Sequence, residues 1–231
     1  MKRYRNILFD LDKTLWDFDH NSAETICELY HELGLKQKGI GDFARFFRDY
    51  EKINGELWEQ YRHNEISKPD LMYMRFYKTL LMFGIDDLIL SKEFSEKYLK
   101  ILPTKNQVFP DTYETLDYLR AKYNLHIVTN GFEEVQFRKL EHAGLEKYFT
   151  HVITSEKAGY KKPDRNFFEF ALDEIDAGAD ECLMIGDDVE VDLEGARNSG
   201  IDQVFCNFEN ITHSENFTYE IFRLKELKGI L

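Results

Sequence analysis

Proline, cysteine and positive charge are all in short supply in this chain. Its 231 residues hold four prolines and three cysteines, and 30 lysines and arginines stand against 43 aspartates and glutamates, a formal charge of −13. No tract rich in Pro, Gly or Ser marks a linker, and no internal repeat is visible. The cysteines, Cys27, Cys182 and Cys206, are odd in number and far apart. They make neither a C-x-x-C pair nor a zinc pattern, which predicts inert thiols in a reducing compartment. The acidic balance argues against binding a nucleic acid polymer or an anionic membrane, whose phosphates would be repelled. A phosphorylated small molecule in a metal-loaded pocket is not excluded by it. No apolar run approaches the ~20 residues that span a bilayer. The basic opening Met1-Lys2-Arg3-Tyr4-Arg5 leads into Ile7-Leu8-Phe9, which Asp10 breaks, far too short for a signal peptide. A soluble, cytoplasmic protein is expected.

What is present is a globular composition, with 43% hydrophobic and 32% charged residues. That length and content suffice for one large core, or a core with a smaller satellite. Short apolar runs at 6–9, 125–128, 152–154, 183–185 and 204–206 read as buried parallel strands. Helical patterns at 133–143 and 165–175 lie between them, and Gly144 and Gly200 stand where helices should stop. Strands alternating with helices predict a doubly wound α/β sheet.

One connection is far too long. Over a hundred residues separate the first run from the second, where a parallel crossover needs about a dozen. The stretch 111–123 reads as the crossover helix, which leaves the rest as an insertion packing on itself. Phe43, Phe46, Phe47, Tyr50, Ile53, Leu57, Trp58 and Tyr61 recur at three- and four-residue steps, so the insertion is helical. Gly55 falls inside that run, at a point that weakens a single helix. Asn21 is placed to cap a helix ending near Gly34, and Ser67 with Pro69 to start another that stops at Gly84. About four helices are expected, with the aromatic stripe as their core.

Four short motifs could carry chemistry. Asp10 and Asp12 follow a strand two residues apart, so both carboxylates can face one side. Such a pair can bind a hard cation or divide the work of nucleophile and acid, although aspartate is also common in solvated turns. Thr129-Asn130-Gly131 offers a hydroxyl and backbone amides to an anion, yet Asn-Gly is first of all a turn. Lys161-Lys162-Pro163 offers a point charge, in a pairing common on surfaces. Gly186-Asp187-Asp188-Val189-Glu190-Val191-Asp192 crowds four acidic residues after a strand. They would repel one another unless a cation or lysine sits nearby, or would suit a helix start. Each motif is read as lying at the end of a predicted parallel strand, and in this order all four can converge on the crevice where open α/β sheets bind ligands.

In this order the motifs resemble the haloacid dehalogenase-like (HAD) superfamily of phosphohydrolases. The match is D-x-D-x-T at Asp10, Asp12 and Thr14, then Thr129, then Lys162 before Pro163, then G-D-x-x-x-x-D ending at Asp192. The resemblance spans the chain and implies a mostly parallel Rossmann-like core over 1–16 and 103–231, with an inserted helical cap over 17–102. Thr129-Asn130-Gly131-Phe132, Gln136, Arg138-Lys139-Leu140-Glu141, Gly144-Leu145, Tyr148-Phe149, Ser155-Glu156 and Gly159 are similar to the pyrimidine 5′-nucleotidase branch. So are Asn54, Leu57-Trp58, Tyr61 and Ile66-Ser67 in the insertion.

The resemblance implies a magnesium-dependent phosphomonoesterase acting on pyrimidine nucleoside 5′-monophosphates. Asp10 is then the nucleophile and Asp12 the acid and base. Magnesium, with manganese able to replace it, is held by Asp10, the Asp12 carbonyl and Asp187, with Asp188 and Asp192 behind them. Thr14, Thr129, Asn130, Gly131 and Lys162 are expected on the phosphate, and Trp58, Tyr61 and Phe132 are candidates to stack on a base. Asp188 departs from the pattern, because many relatives carry Ser or Thr there. A sugar-phosphate phosphatase, or a non-catalytic nucleotide-binding scaffold, would share the same core. The expected partner is a small phosphomonoester, and the chain a monomer or homodimer.

Overall fold

In the computed structural model, which describes residues 4–231, β1 (Asn6–Phe9) is buried along its whole length. Burial of that kind suits a strand flanked on both edges and covered on both faces. The basic opening Met1-Lys2-Arg3 lies outside the described residues. Beside β1 run β2 (Asn124–Thr129) and β4 (Cys182–Gly186); β3 (His151–Thr154) lies beyond β2, with β5 (Asp202–Cys206) and β6 (Tyr219–Ile221) beyond β4. Every pairing is parallel, in the order β3-β2-β1-β4-β5-β6. Phe9, the last residue of β1, stands level with Ile127 on one side and Ile185 on the other, so β4 runs one residue and β2 two residues past the end of β1. The chain winds outward from β1 to β3 and then returns to β4 on the other side. In open α/β sheets that reversal marks the crevice at the strands' carboxyl ends.

Five strands coincide with apolar runs of the sequence. The sixth, β6, has three residues of which only Ile221 is buried. An edge strand pairs on one side only, so no continuous apolar run announces it. Between the strands lie α5 (Thr112–Arg120), α6 (Glu133–His142) and α8 (Arg165–Glu174), with the shorter α7 (Ser155–Ala158) and α9 (Gly195–Asn198), and α10 (Leu227–Ile230) follows β6. The helix expected to stop at Gly200 begins as a π-helical turn, Val189–Glu194, that runs into α9. Leu8, Val128, Ile153 and Met184 from the strands pack with Phe167, Phe168 and Ala171 of α8 and Ala196 of α9. All three cysteines are free, and burial pushes the Cys182 thiol up to about 12. Among the described residues no helix is long and apolar enough to cross a membrane.

By its contacts the chain divides into two compact units, Met1–Phe18 with Asn106–Leu231, and Asp19–Lys105. The second unit carries α1 (Phe18–Glu32, whose first residue belongs to the other unit), α2 (Phe43–Arg62), α3 (Lys68–Met82) and α4 (Leu88–Ile101). Its centre is aromatic. The ring centroid of Phe76 lies 4.4 Å from that of Phe94 and 5.3 Å from those of Tyr50 and Tyr98. Helix α2 runs unbroken through Gly55, which is exposed with nothing near its missing Cβ. A glycine there costs about 1 kcal/mol, less than the burial of Phe46, Tyr50, Ile53 and Leu57 on the other face supplies. Asn21 does not cap α1. It lies inside the helix, buried, and its carbonyl accepts from the Thr25 hydroxyl at 2.8 Å. Ser67 does cap α3, in a reciprocal box with Asp70.

A Cβ at Gly195 would lie 2.5 Å from Phe168 Cε2 and 2.9 Å from the Cα of Pro163. The second contact is backbone and cannot swing away. Gly195→Ala is therefore expected to destabilise the protein by about 1–3 kcal/mol, read as a lower urea midpoint with unchanged slope. An unchanged midpoint would contradict this close approach.

Candidate active site

Asp10 follows β1 directly, and its N–H donates to the Ile185 carbonyl at 2.9 Å, continuing the ladder one step past the strand. Its carboxylate is buried, 8% of the residue being exposed. Oδ1 accepts from Lys162 Nζ at 2.7 Å. The same ammonium donates to Asp192 Oδ1 at 2.6 Å and to the Val128 carbonyl at 2.8 Å, so all three of its protons are used. Lys162 thus ties the ends of β1 and β2 to the turn after β4. The side chain of Asn130 holds it there, accepting from the Lys162 N–H at 2.8 Å and donating to the Lys162 carbonyl at 2.9 Å.

The acidic run after β4 sorts into three different tasks. Asp187, half-buried, accepts from the Thr14 hydroxyl at 3.1 Å. Asp188 caps the π-helical turn, its Oδ1 accepting from the N–H groups of Glu190 and Val191 at 3.1 and 3.0 Å. Asp192 is engaged through both oxygens, Oδ1 by Lys162 and Oδ2 by the Asp188 N–H at 3.3 Å. The wider π turn carries it back over the strand end, a use such turns often have at functional sites.

Ligand atoms of Asp10, Asp187 and Asp192 all lie within 4.8 Å of one another. Three carboxylates here face one lysine, and the electrostatics record the excess. Burial, together with the neighbouring carboxylates, holds Asp10 well above the usual carboxylate range, against the pull of Lys162. Burial and the charge of Asp192 push Asp187 up to about 8. Asp192 is raised by burial, with Lys162 opposing. For Lys162, burial works to lower its pKa, but Asp10 and Asp192 outweigh it and hold it above the ordinary lysine range. Surplus negative charge on a buried all-oxygen donor set fits a hard divalent cation.

The two carboxylates of the first motif have different partners. Asp12 is paired through both oxygens with Lys139 Nζ, at 2.6 and 2.8 Å, and its Oδ2 accepts from Gln136 Nε2 at 2.9 Å. Gln136 also donates to Thr129 Oγ1 at 2.9 Å, where the Gly131 N–H donates at 3.0 Å. The Gly131 amide, expected to face an anion, is therefore directed at Thr129. Both lone pairs of the Thr129 oxygen are occupied, so the hydroxyl has only its proton left to offer. A Cβ at Gly131 would stand 1.7 Å from Gln136 Nε2, so only glycine makes room for this link. Phe132 is buried at the start of α6. Trp58 and Tyr61 stand on α2 in the helical unit, where their rings meet edge-on at 5.7 Å.

Gln136 and Lys139 were visible in sequence only as matches to a family pattern, with no role attached. Their one physical signal is a three-residue spacing on α6, shortly after the Thr-Asn-Gly turn, which puts them on a single helix face.

A family model described as haloacid dehalogenase-like hydrolase matches residues 4–200. Pyrimidine 5′-nucleotidase PynA of Streptococcus pneumoniae is 32% identical, the alignment covering 99% of this chain and 95% of the relative. A glyceraldehyde 3-phosphate phosphatase of Methanothermobacter thermautotrophicus is 34% identical over 90% of this chain and 88% of its own. Among solved structures, the magnesium-bound HAD-hydrolase YfnB of Bacillus subtilis superposes with a TM-score of 0.90, at 28% identity and 99% coverage of both chains. The strand-end aspartates and lysine are thus set in a fold and a sequence of one lineage, and the chain belongs to the haloacid dehalogenase-like hydrolase family.

Proposed function

We propose that the protein is a magnesium-dependent phosphomonoesterase that hydrolyses nucleoside 5′-monophosphates, those of pyrimidines above all, through an aspartyl-phosphate. The observation that carries this reading is the buried Asp10 carboxylate, fixed by Lys162 at the end of the central strand beside Asp187. Asp10 attacks phosphorus, forming an O–P bond as the bond to the ester oxygen breaks. Asp12 gives its proton to the departing oxygen, help worth about 10²–10⁴-fold. Asp12 then takes a proton from the water that attacks the intermediate, freeing phosphate and restoring Asp10. When bound, a divalent cation held by Asp10, the Asp12 carbonyl and Asp187 supplies positive charge that offsets the repulsion between a carboxylate and a phosphate dianion. Lys162 holds Asp10 in line from the protein side, and the Thr129 hydroxyl donates to a phosphate oxygen. Asp192 and Asp188 brace Lys162 and the turn.

The helical unit is assigned the choice of substrate, with Trp58 and Tyr61, together with Phe132, as flat surfaces for a base. Similarity to PynA along nearly the whole chain supports the nucleotide. Similarity to a glyceraldehyde 3-phosphate phosphatase supports a second reading, with the same chemistry on a sugar phosphate or other small phosphoester. A cytoplasmic site of action is part of this proposal, and manganese is expected to replace magnesium in the same oxygen site.

Phosphate release from a panel of uridine, thymidine and cytidine monophosphates, purine monophosphates and sugar phosphates, with Mg²⁺ or with EDTA, separates these readings. Turnover concentrated on the pyrimidines and abolished by EDTA is expected. Release from sugar phosphates alone would keep the chemistry and discard the nucleotide, and release unaffected by EDTA would remove the metal. Asp10→Asn should lower kcat by at least about 10³-fold with the circular dichroism spectrum and Tm preserved; wild-type-like turnover would sink the nucleophile assignment.

A further inference from the structure

Lys139 has no part in the reading above, yet it is one of the most costly residues in the site to have placed where it is. Its side chain is 3% exposed, against 27% for the Asp12 carboxylate it contacts. The ammonium reaches Asp12 from the protein interior, over the ring of Trp16 at 4.4 Å and that of Phe18 at 5.5 Å. Methionine could pack against the same rings without the cost of burying a charge, and buried ion pairs are poor sources of stability. The pair is better explained by what it does to Asp12.

The two oxygens of Asp12 are not equivalent. Oδ2 of Asp12 accepts from both Lys139 and Gln136, whereas Oδ1 accepts from Lys139 alone. A carboxylate oxygen has two in-plane lone pairs, so Oδ2 is filled and Oδ1 keeps one free. The terminal torsion of aspartate is otherwise broad and nearly two-fold, and a part-exposed carboxylate would turn. Gln136, with none of its surface exposed, links the clamp to Thr129 and so to the second strand end.

We propose that Lys139 is a positioning residue for Asp12: with Gln136 it locks the carboxylate plane so that Oδ1 alone faces the departing oxygen and then the attacking water. This rests on the acid–base role given to Asp12 above. The proton moves to and from the remaining lone pair of Oδ1, while Lys139, on both oxygens, and Gln136, on Oδ2, hold the carboxylate plane and exchange nothing.

The test uses the Mg²⁺-loaded full chain, with uridine 5′-monophosphate and ribose 5-phosphate as alkyl esters and 4-nitrophenyl phosphate as an aryl ester whose departure needs no proton. Lys139→Met should lower kcat on the alkyl esters by about 10–100-fold, the scale of a misplaced catalytic group, with KM within about twofold. On the aryl ester its kcat/KM should stay within about threefold, and Lys139→Arg should recover most of the alkyl activity. In an Asp12→Asn background, adding Lys139→Met should change little. Loss on both ester classes, or an equal loss with and without Asp12, would show that Lys139 acts through something else and overturn the proposal. Wild-type kcat in Lys139→Met beside an impaired Asp12→Asn would overturn it while leaving the role of Asp12 intact. Wild-type kcat in Asp12→Asn would bring down that role and the proposal together. Should Lys139→Met fail to fold, Gln136→Leu is read in the same cycle, with a smaller alkyl-specific loss expected and an equal loss on both esters as the overturning result.

Discussion

A buried ammonium joins everything that matters at the end of this sheet. Lys162 donates to Asp10, Asp192 and the carbonyl of Val128, and so binds two strand ends and the turn after a third into one rigid piece. Removing the lysine itself would leave buried carboxylates with no cation beside them, at a cost of several kcal/mol. The same lysine is too little to neutralise what surrounds it. Asp10, Asp187 and Asp192 remain in excess; burial, reinforced by their mutual repulsion, holds Asp10 and Asp187 above the ordinary carboxylate range, and the cluster suits a further cation. Structural cohesion and affinity for metal are thus two consequences of one charge imbalance.

Around that centre, most of the polar side chains are occupied in holding others. Asn130 grips the backbone on both sides of Lys162, Asp188 closes the π-helical turn that delivers Asp192, and Thr14 steadies Asp187. Gln136 couples Asp12 to Thr129 through the space left by Gly131. Behind the turn, Gly195 lets α9 approach Phe168 and Pro163 closely enough to seat the acidic loop on the core. Each support is worth little alone. Together they hold the reactive groups on strand ends rather than on free loops, the arrangement that preorganised chemistry needs.

The helical unit obeys a different economy. Its centre is a stack of aromatic rings from α2, α3 and α4, with Phe76 between Phe94 and Tyr50. Large apolar area buried on one face allows α2 to tolerate Gly55 on the other, where no side chain is needed.

Much of this was legible in the chain itself. Buried parallel strands must be apolar on both faces, so β1 to β5 stand out as short hydrophobic runs, and the aspartates, threonine and lysine that follow them fall in a fixed order. A three- and four-residue aromatic rhythm likewise announces helices whatever they pack on. Tertiary structure alone decided matters that depend on partners distant along the chain. It made an edge strand of 219–221, because pairing with β5 supplies what local pattern lacks. It put Asp187 in the acidic cluster and made Asp188 a cap, although the two are neighbours of the same type. It also took Gln136 and Lys139, which on an amphipathic helix read as solvent-facing, and buried them against Asp12. Sequence pattern reports how one residue relates to water and to its near neighbours; which carboxylate a buried cation meets is set only when remote strand ends and helices are brought within hydrogen-bonding distance.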